Sequence, residues 1–323
     1  MSNKIKWGIL GYATIARDAF IPALLKATIS EFFALASRYP DKLTQCQERF
    51  QHPARIYASY DQLLDDPEIE AVYIPLPNSL HKEWAIKAAR KGKHVLCEKP
   101  LALKSDDCRE IVAECLRNNV KLMEGFMYRY TDRIRKVQRI IGENKIGQVK
   151  YVHSYFFSLA SRASGDRLNP ALGGGALLDL GCYSVNLVGM ITGSEPLLIA
   201  AEALPVNGVD VLLSAILKYP NGIIANIHYG WINEFRSLGT TVMGTEGTIE
   251  IPEPFWGNFG SITLTTPDGK QEIPVTETDR FRAEIEDFAT AIRENHPPLL
   301  DAKEAISNQK VIEGILAKAG FNY

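Results

Sequence analysis

The feature that most constrains this chain is the alternation of short apolar runs with helical periodicity through its first 125 residues. Residues 5–10 form an apolar run that stops at Gly11, and Ile15, Phe20, Ile21, Leu24 and Leu25 then recur on one broad helix face. Residues 32–36 are apolar at every position, as a strand buried on both faces of a parallel sheet must be. A short helix over 59–64 and a third strand over 71–74 follow. A helix over about 80–91 ends at Gly92, residues 94–97 read as a fourth strand, 106–118 as a helix and 120–123 as a fifth strand. Strands interleaved with helices of about ten residues need right-handed crossovers, which makes this region α/β, a doubly wound parallel sheet.

After Arg129 the pattern changes. A helix over 133–141 leads into a long alternating strand over 149–157, then a glycine-rich segment and a helix over 176–190. Strands over 209–219 and 223–231 flank Pro220-Asn221-Gly222, a strong hairpin signal. Further strands over 239–243, 248–251, 261–265 and 272–275 follow, the last two joined by Pro267-Asp268-Gly269. The expectation is an α+β domain with a largely antiparallel, open-faced sheet covered on one side by helices. The domains are expected at 1–124 and 125–323, and the final helix over 302–319 is left open between the second domain and packing back on the first.

Composition narrows the class. Net charge is −2 from 36 basic and 38 acidic side chains, which gives no electrostatic footprint for nucleic acid or an anionic membrane. Cys46, Cys97, Cys108, Cys115 and Cys182 are odd in number and scattered, against a disulfide framework or a zinc site. No apolar run is read as long enough for a membrane span, and no signal peptide is visible, so a soluble cytoplasmic protein without a metal is expected.

Gly11-Tyr12-Ala13-Thr14-Ile15-Ala16 occupies the position of a G-x-G-x-x-G dinucleotide fingerprint, after strand one and opening helix one. Gly11 supplies the tight turn, and small residues at 13 and 16 allow close approach of a pyrophosphate and of helix to strand. Alone, the segment reads equally well as an ordinary strand-to-helix turn. The second strand ends in Ser37-Arg38 with Lys42 one turn on, where an NAD site would carry an acid. A hydroxyl and a guanidinium suit a 2′-phosphate, so NADP is expected in preference to NAD, with Asp41 close by.

Three further motifs, in order, complete the picture: Pro77-Asn78-x-x-His81, Glu98-Lys99-Pro100, and Gly173-Gly174-Gly175-Ala176-Leu177-x-Asp179-x-Gly181-x-Tyr183. With them the chain resembles, over nearly its whole length, the glucose–fructose oxidoreductase/inositol dehydrogenase (Gfo/Idh/MocA) family. The resemblance implies a Rossmann domain followed by an α/β domain whose open sheet often forms a homodimer interface. It implies NAD(P)-dependent interconversion of alcohol and carbonyl on a sugar-like polyol or aldose, or on a dihydrodiol. It also implies a cis Lys99–Pro100 bond and a tyrosine or histidine acid–base at position 183.

Residue chemistry fits those roles. Lys99 ends a strand at the carboxyl edge, where ligands bind in doubly wound sheets, and its ammonium could bond a substrate oxygen. Glu98 or Asp179 is its candidate counter-charge. Asp179 and Tyr183, four apart on a helix, share a face. The expected catalytic set is Lys99, Tyr183 and Asp179. The expected cofactor set is Gly11, Ala13, Thr14, Ile15, Ser37, Arg38, Lys42, Pro77, Asn78, His81, Glu98, Lys99 and Arg129. His81 is open between a ribose contact and a helix cap, and Arg129 is placed near the nicotinamide by the resemblance. Arg162, Arg167, Trp231, Phe235 and Trp256 are weaker candidates for the substrate pocket. The alternative to an enzyme is a catalytically silent nucleotide or sugar binder of the same fold.

Overall fold

The structure is a computed structural model and describes residues 4–321. By internal packing the chain divides into two compact units, one running to Met127 and including Asp279–Ile306, the other comprising Tyr128–Thr278 and the residues from Ser307 on.

The first unit is built on six parallel strands, β1 (Ile5–Leu10), β2 (Ser30–Ala36), β3 (Arg55–Tyr57), β4 (Ala71–Ile74), β5 (His94–Glu98) and β6 (Leu122–Gly125). Their order is β3-β2-β1-β4-β5-β6, a doubly wound sheet that reverses direction between β1 and β4. β4 is buried at every residue and β1 at all but Lys6, which is why both read as continuous apolar runs. A π-type turn over Ala16–Phe20 runs into α1 (Ile21–Leu24), followed by α2 (Pro40–Phe50), α3 (Tyr60–Asp65), α4 (His81–Arg90) and α5 (Ser105–Arg117). Neither β3 nor α2 is anticipated by the sequence reading. β3 is a three-residue edge strand without a buried side chain, and α2 buries only Leu43 and Cys46, so neither leaves a clear periodic signal.

The second unit opens with α6 (Asp132–Gly142), β7 (Val149–Leu159) and α7 (Cys182–Thr192). Then come β8 (Leu198–Val206), β9 (Val209–Lys218), β10 (Ile224–Asn233), β11 (Ser237–Gly244), β12 (Thr248–Pro252), β13 (Ser261–Thr266) and β14 (Gly269–Pro274). They form one eight-stranded sheet in the order β14-β13-β12-β11-β7-β10-β9-β8. Pairing is antiparallel except between β7 and β10, where a crossover brings the long strand beside the hairpin that follows it. Gly222, at φ 80°, turns that hairpin as the sequence anticipates. β8 was not anticipated; its side chains alternate only between half-buried and exposed, so it carries no apolar face to read.

The final part of the chain amends the expected domain boundary. Helix α8 (Arg280–Arg293) belongs to the first unit, where Phe288 packs on Trp7 at 5.7 Å and Trp7 on Phe20 at 5.7 Å. Helix α9 (Ala302–Lys318) begins in the first unit and ends in the second. One sequence expectation is corrected outright. The segment Pro170–Thr192 is long and apolar enough to span a membrane, with a mean hydropathy of 1.3 over its best window. However, 78% of that window is buried within the protein, so its apolarity is that of a core helix.

Candidate active site

In the first unit the chemistry gathers at the carboxyl ends of β1, β2, β4 and β5. Gly11 adopts φ 101° and donates its N–H to Ala36 O at 2.8 Å, closing the turn between β1 and the helix. A Cβ there would stand 3.0 Å from Leu76 Cδ2 in a backbone conformation that L-residues avoid, so only glycine serves. Beyond it Ala13 and Ile15 are half-buried and Thr14 exposed at the start of the helical segment, where backbone N–H groups have no partner within the helix. This is a fitting cradle for a pyrophosphate. At the end of β2, Ser37 is buried and its Oγ accepts from Tyr39 N at 3.1 Å, which folds the chain back so that Arg38 stands exposed. The Arg38 guanidinium lies 5.9 Å from the centre of the Tyr60 ring, whose hydroxyl would be 3.5 Å from a Cβ on Gly11. Lys42 Nζ lies 5.2 Å over the Tyr39 ring. Ser37, Arg38 and Lys42 thus bring a hydroxyl and two cations to the end of β2.

The turn after β4 and the turn after β5 are tied together by His81. The ring is enclosed; Nδ1 faces Pro100 O at 2.8 Å and Nε2 faces Leu76 O at 2.8 Å. Burial holds this imidazole below its usual range against the pull of both carbonyls. No ring nitrogen is left for a ribose hydroxyl, so His81 positions the loop that carries Lys99. Pro77 and Asn78, in the turn before it, are half-buried, and Lys99–Pro100 is cis. Burial pushes the Glu98 carboxyl up, while the hydroxyl of Tyr73 at 2.6 Å and the neighbouring Lys99 charge draw it down. Glu98 thus lies within the influence of the Lys99 charge, as does Glu124. Glu124, buried behind it, accepts from Leu101 N at 2.8 Å and is pushed up to about 8 by burial.

In the second unit, Asp179 lies in a π-type turn over Leu177–Gly181 that feeds directly into α7, and Tyr183 follows in the first turn of α7. Tyr183 is 5% exposed, with its ring among Phe255 at 5.5 Å, Tyr128 at 5.9 Å and Phe156 at 6.0 Å. Asp179 Oδ2 accepts from Arg167 Nε at 3.0 Å and Arg162 Nη2 at 3.3 Å.

Four contacts that the sequence reading missed fix this helical segment. Asp210, wholly buried on β9, accepts from Leu177 N at 2.7 Å at the segment's start. Gly181 lies against Tyr229, where a Cβ would be only 2.5 Å from the ring. Farther on, Ser154 Oγ donates to Ser184 Oγ at 2.9 Å, and Ser154 Oγ lies 2.9 Å from Thr240 Oγ1. Asn186 Oδ1 accepts from Tyr128 OH at 2.6 Å and Arg129 Nη1 at 3.2 Å, so Arg129 is anchored on α7. An acid at the second position of an apolar strand, and an asparagine three residues after Tyr183 in an apolar helix, are the signals that would have found two of them.

Comparison with known proteins gives the chemistry a frame. The family model described as an oxidoreductase family with an NAD-binding Rossmann fold matches residues 5–126, and the Gfo/Idh/MocA C-terminal domain model matches 134–250. The chain belongs to the Gfo/Idh/MocA oxidoreductase family. Among its relatives is the D-xylose 1-dehydrogenase (NADP(+)) 2 of Haloferax volcanii, 33% identical over 97% of this chain and 97% of that one. Among solved structures, a 3-ketoreductase from Actinomadura kijaniata in complex with NADP and TDP-benzene superposes with a TM-score of 0.91 at 27% identity, covering 98% of each chain. An aldose-aldose oxidoreductase from Caulobacter crescentus complexed with glycerol gives 0.90 at 28%, over 98% of this chain and 97% of that one.

Of the aromatic candidates for the substrate pocket, Trp231 is 3% exposed inside the second unit. Phe235 is exposed, and Trp256 is half-buried beneath Arg236.

Proposed function

We propose that the protein is an NADP-dependent oxidoreductase acting on a sugar-like polyol or aldose, interconverting alcohol and carbonyl. The observation that carries this reading is the end of β2, where buried Ser37 and exposed Arg38 take the place of an acid in a chain of an NAD(P)-dependent family. One named relative is a D-xylose 1-dehydrogenase (NADP(+)) and one of the named structures is solved with NADP, which supports the reading.

In this account Gly11, Ala13, Thr14 and Ile15 receive the pyrophosphate, and Ser37, Arg38 and Lys42 receive the 2′-phosphate. Pro77, Asn78, Glu98 and Arg129 complete the nucleotide's surroundings. When bound, the nicotinamide supplies or accepts the hydride. Lys99 holds the reacting oxygen through its ammonium, and Tyr183 gives that oxygen its proton or takes it away. Asp179, held through Oδ2 by Arg167 and Arg162, orients the substrate. A catalytically silent binder would have no need of Lys99 or Tyr183.

The reading also includes a homodimer formed through the open face of the eight-stranded sheet. Ile216 on β9, Ile224 on β10 and Met243 on β11 are exposed there, and association removes such surface from water.

The test is to mix the purified protein with NADP or NAD and a panel of aldoses, polyols and diols, and to follow reduced nicotinamide by absorbance. Reduction with NADP supports the reading, and its absence across the panel in both directions rejects it.

A further inference from the structure

The surroundings of Asp179 carry more positive charge than a neutral sugar needs. Arg162 and Arg167 both pair with the same oxygen of Asp179, which can neutralise only one of them. Their side chains keep 31% and 42% of their surface open to solvent, so neither is a sealed structural cation. A third guanidinium, that of Arg236, lies 4.9 Å over the Trp256 ring. Burial and the charge of Arg162 both push Arg236 below the usual arginine range, and Glu253 alone opposes them. Glu253 is itself shared. Its carboxylate and the Arg133 guanidinium flank Gly257, where a Cβ would stand 3.0 Å from Glu253 Oε2 and 2.6 Å from Arg133 Nη1. Arg133 is fully buried and bonded to the carbonyls of Pro252, Glu253 and Phe259, a structural role that leaves it no reach toward a ligand. Three guanidiniums that solvent reaches, those of Arg162, Arg167 and Arg236, thus act on one another, with Asp179 shared between two of them.

Like charges held together on short loops repel one another, and an incoming anion relieves that repulsion. The planar fork of arginine matches the paired oxygens of phosphate or carboxylate, and Trp256 fixes Arg236 by stacking. We propose that Arg162, Arg167 and Arg236 form a receptor for an anionic group on the substrate, so that the preferred substrate is a sugar bearing a phosphate or a carboxylate. The inference rests on the reading above, in which Asp179 and Tyr183 meet the substrate. In this arrangement Asp179 keeps two arginines aligned until the anion arrives, and Arg236 selects for charge.

The experiment measures binding as well as turnover. The intact chain is titrated calorimetrically, at low and at high salt, with neutral aldoses, their terminal phosphates and their uronates. At low salt either the phosphate or the uronate of a sugar should bind about ten- to a hundredfold more tightly than the parent sugar, the range for one charge-assisted pairing. The preference should shrink at high salt. Arg236→Gln, at an exposed position, should cut the preference to within about threefold. Which anion gains identifies the group recognised. Equal binding of neutral and charged forms, no binding of either anion, or a preference unchanged by both salt and Arg236→Gln overturns the inference. Failure of the oxidoreductase reading looks different: no nucleotide is reduced by any sugar, while the binding preference stands.

Discussion

Replacing Asp210 by asparagine isolates the anchoring of the segment that carries Asp179 and Tyr183. Burial pushes the Asp210 carboxyl up from 3.8 to about 7 even though Leu177 N–H draws it down. The folded protein thus holds a proton that the unfolded chain has already released. Its stabilising contribution is complete below pH 3.8 and is lost as pH rises to about 7. Between pH 5 and 7 that is about two pH units at 1.4 kcal/mol each, or about 3 kcal/mol. Asparagine keeps an acceptor for Leu177 N–H and cannot ionise. The variant should therefore exceed wild type by about 2 kcal/mol at about pH 5 and by about 4 kcal/mol at about pH 8, a widening of about 3 kcal/mol, or roughly 4–5 °C in Tm for a chain of this length. Asp210→Ala, which leaves Leu177 N–H without its acceptor, should instead lose about 1–3 kcal/mol at pH 5, where asparagine does not. Other buried acids, including Glu124 and Glu284, titrate in both proteins, so the difference between wild type and Asp210→Asn belongs to this site. Thermal unfolding by circular dichroism at the two pH values measures it. A gap between wild type and Asp210→Asn that is the same at both would refute the reasoning.

Further outcomes follow from the same geometry. Arg38→Ala should weaken NADP binding about ten- to a hundredfold while changing NAD binding much less, since one charge-assisted pairing to phosphate is lost; equal wild-type affinity for NAD and NADP contradicts the assignment. Light scattering at micromolar concentration should give about twice the chain mass of 36.0 kDa, and Ile216→Asp should lower it toward the monomer; a wild-type mass near 36.0 kDa rejects the dimer.

How much of this is legible in the sequence follows from how each element is buried. β1, β4 and β5 announce themselves because a parallel strand covered on both faces must be apolar throughout. β3 escapes notice because Arg55 and Ile56 are exposed and no periodicity survives in three residues. Gly11, Ser37 and Lys99 are legible because their chemistry depends on position along the chain, at strand ends. Asp210, Asn186 and the enclosure of His81 are not, because each takes its meaning from a partner distant in sequence: Leu177 is 33 residues from Asp210, and Tyr128 is 58 from Asn186. The parallel pairing of β7 with β10 is hidden for the same reason. Hairpin signals report neighbours in sequence, and this pair is joined by a crossover through α7.

The central claim is that Tyr183 and Lys99 act as one unit at the reacting oxygen. Turnover of Tyr183→Phe, on whichever substrate reduces NADP, tests it most directly, with a deuterated substrate reporting whether hydride transfer limits the rate. The account predicts a fall of about 10²–10⁴-fold with NADP affinity nearly intact, because the phenol supplies a proton and does not hold the dinucleotide. Lys99→Ala should fall at least as far, and the double variant should be far less than multiplicatively worse than either. Turnover of Tyr183→Phe within about twofold of wild type, with hydride transfer rate-limiting, would remove Tyr183 from the chemistry and contradict the account.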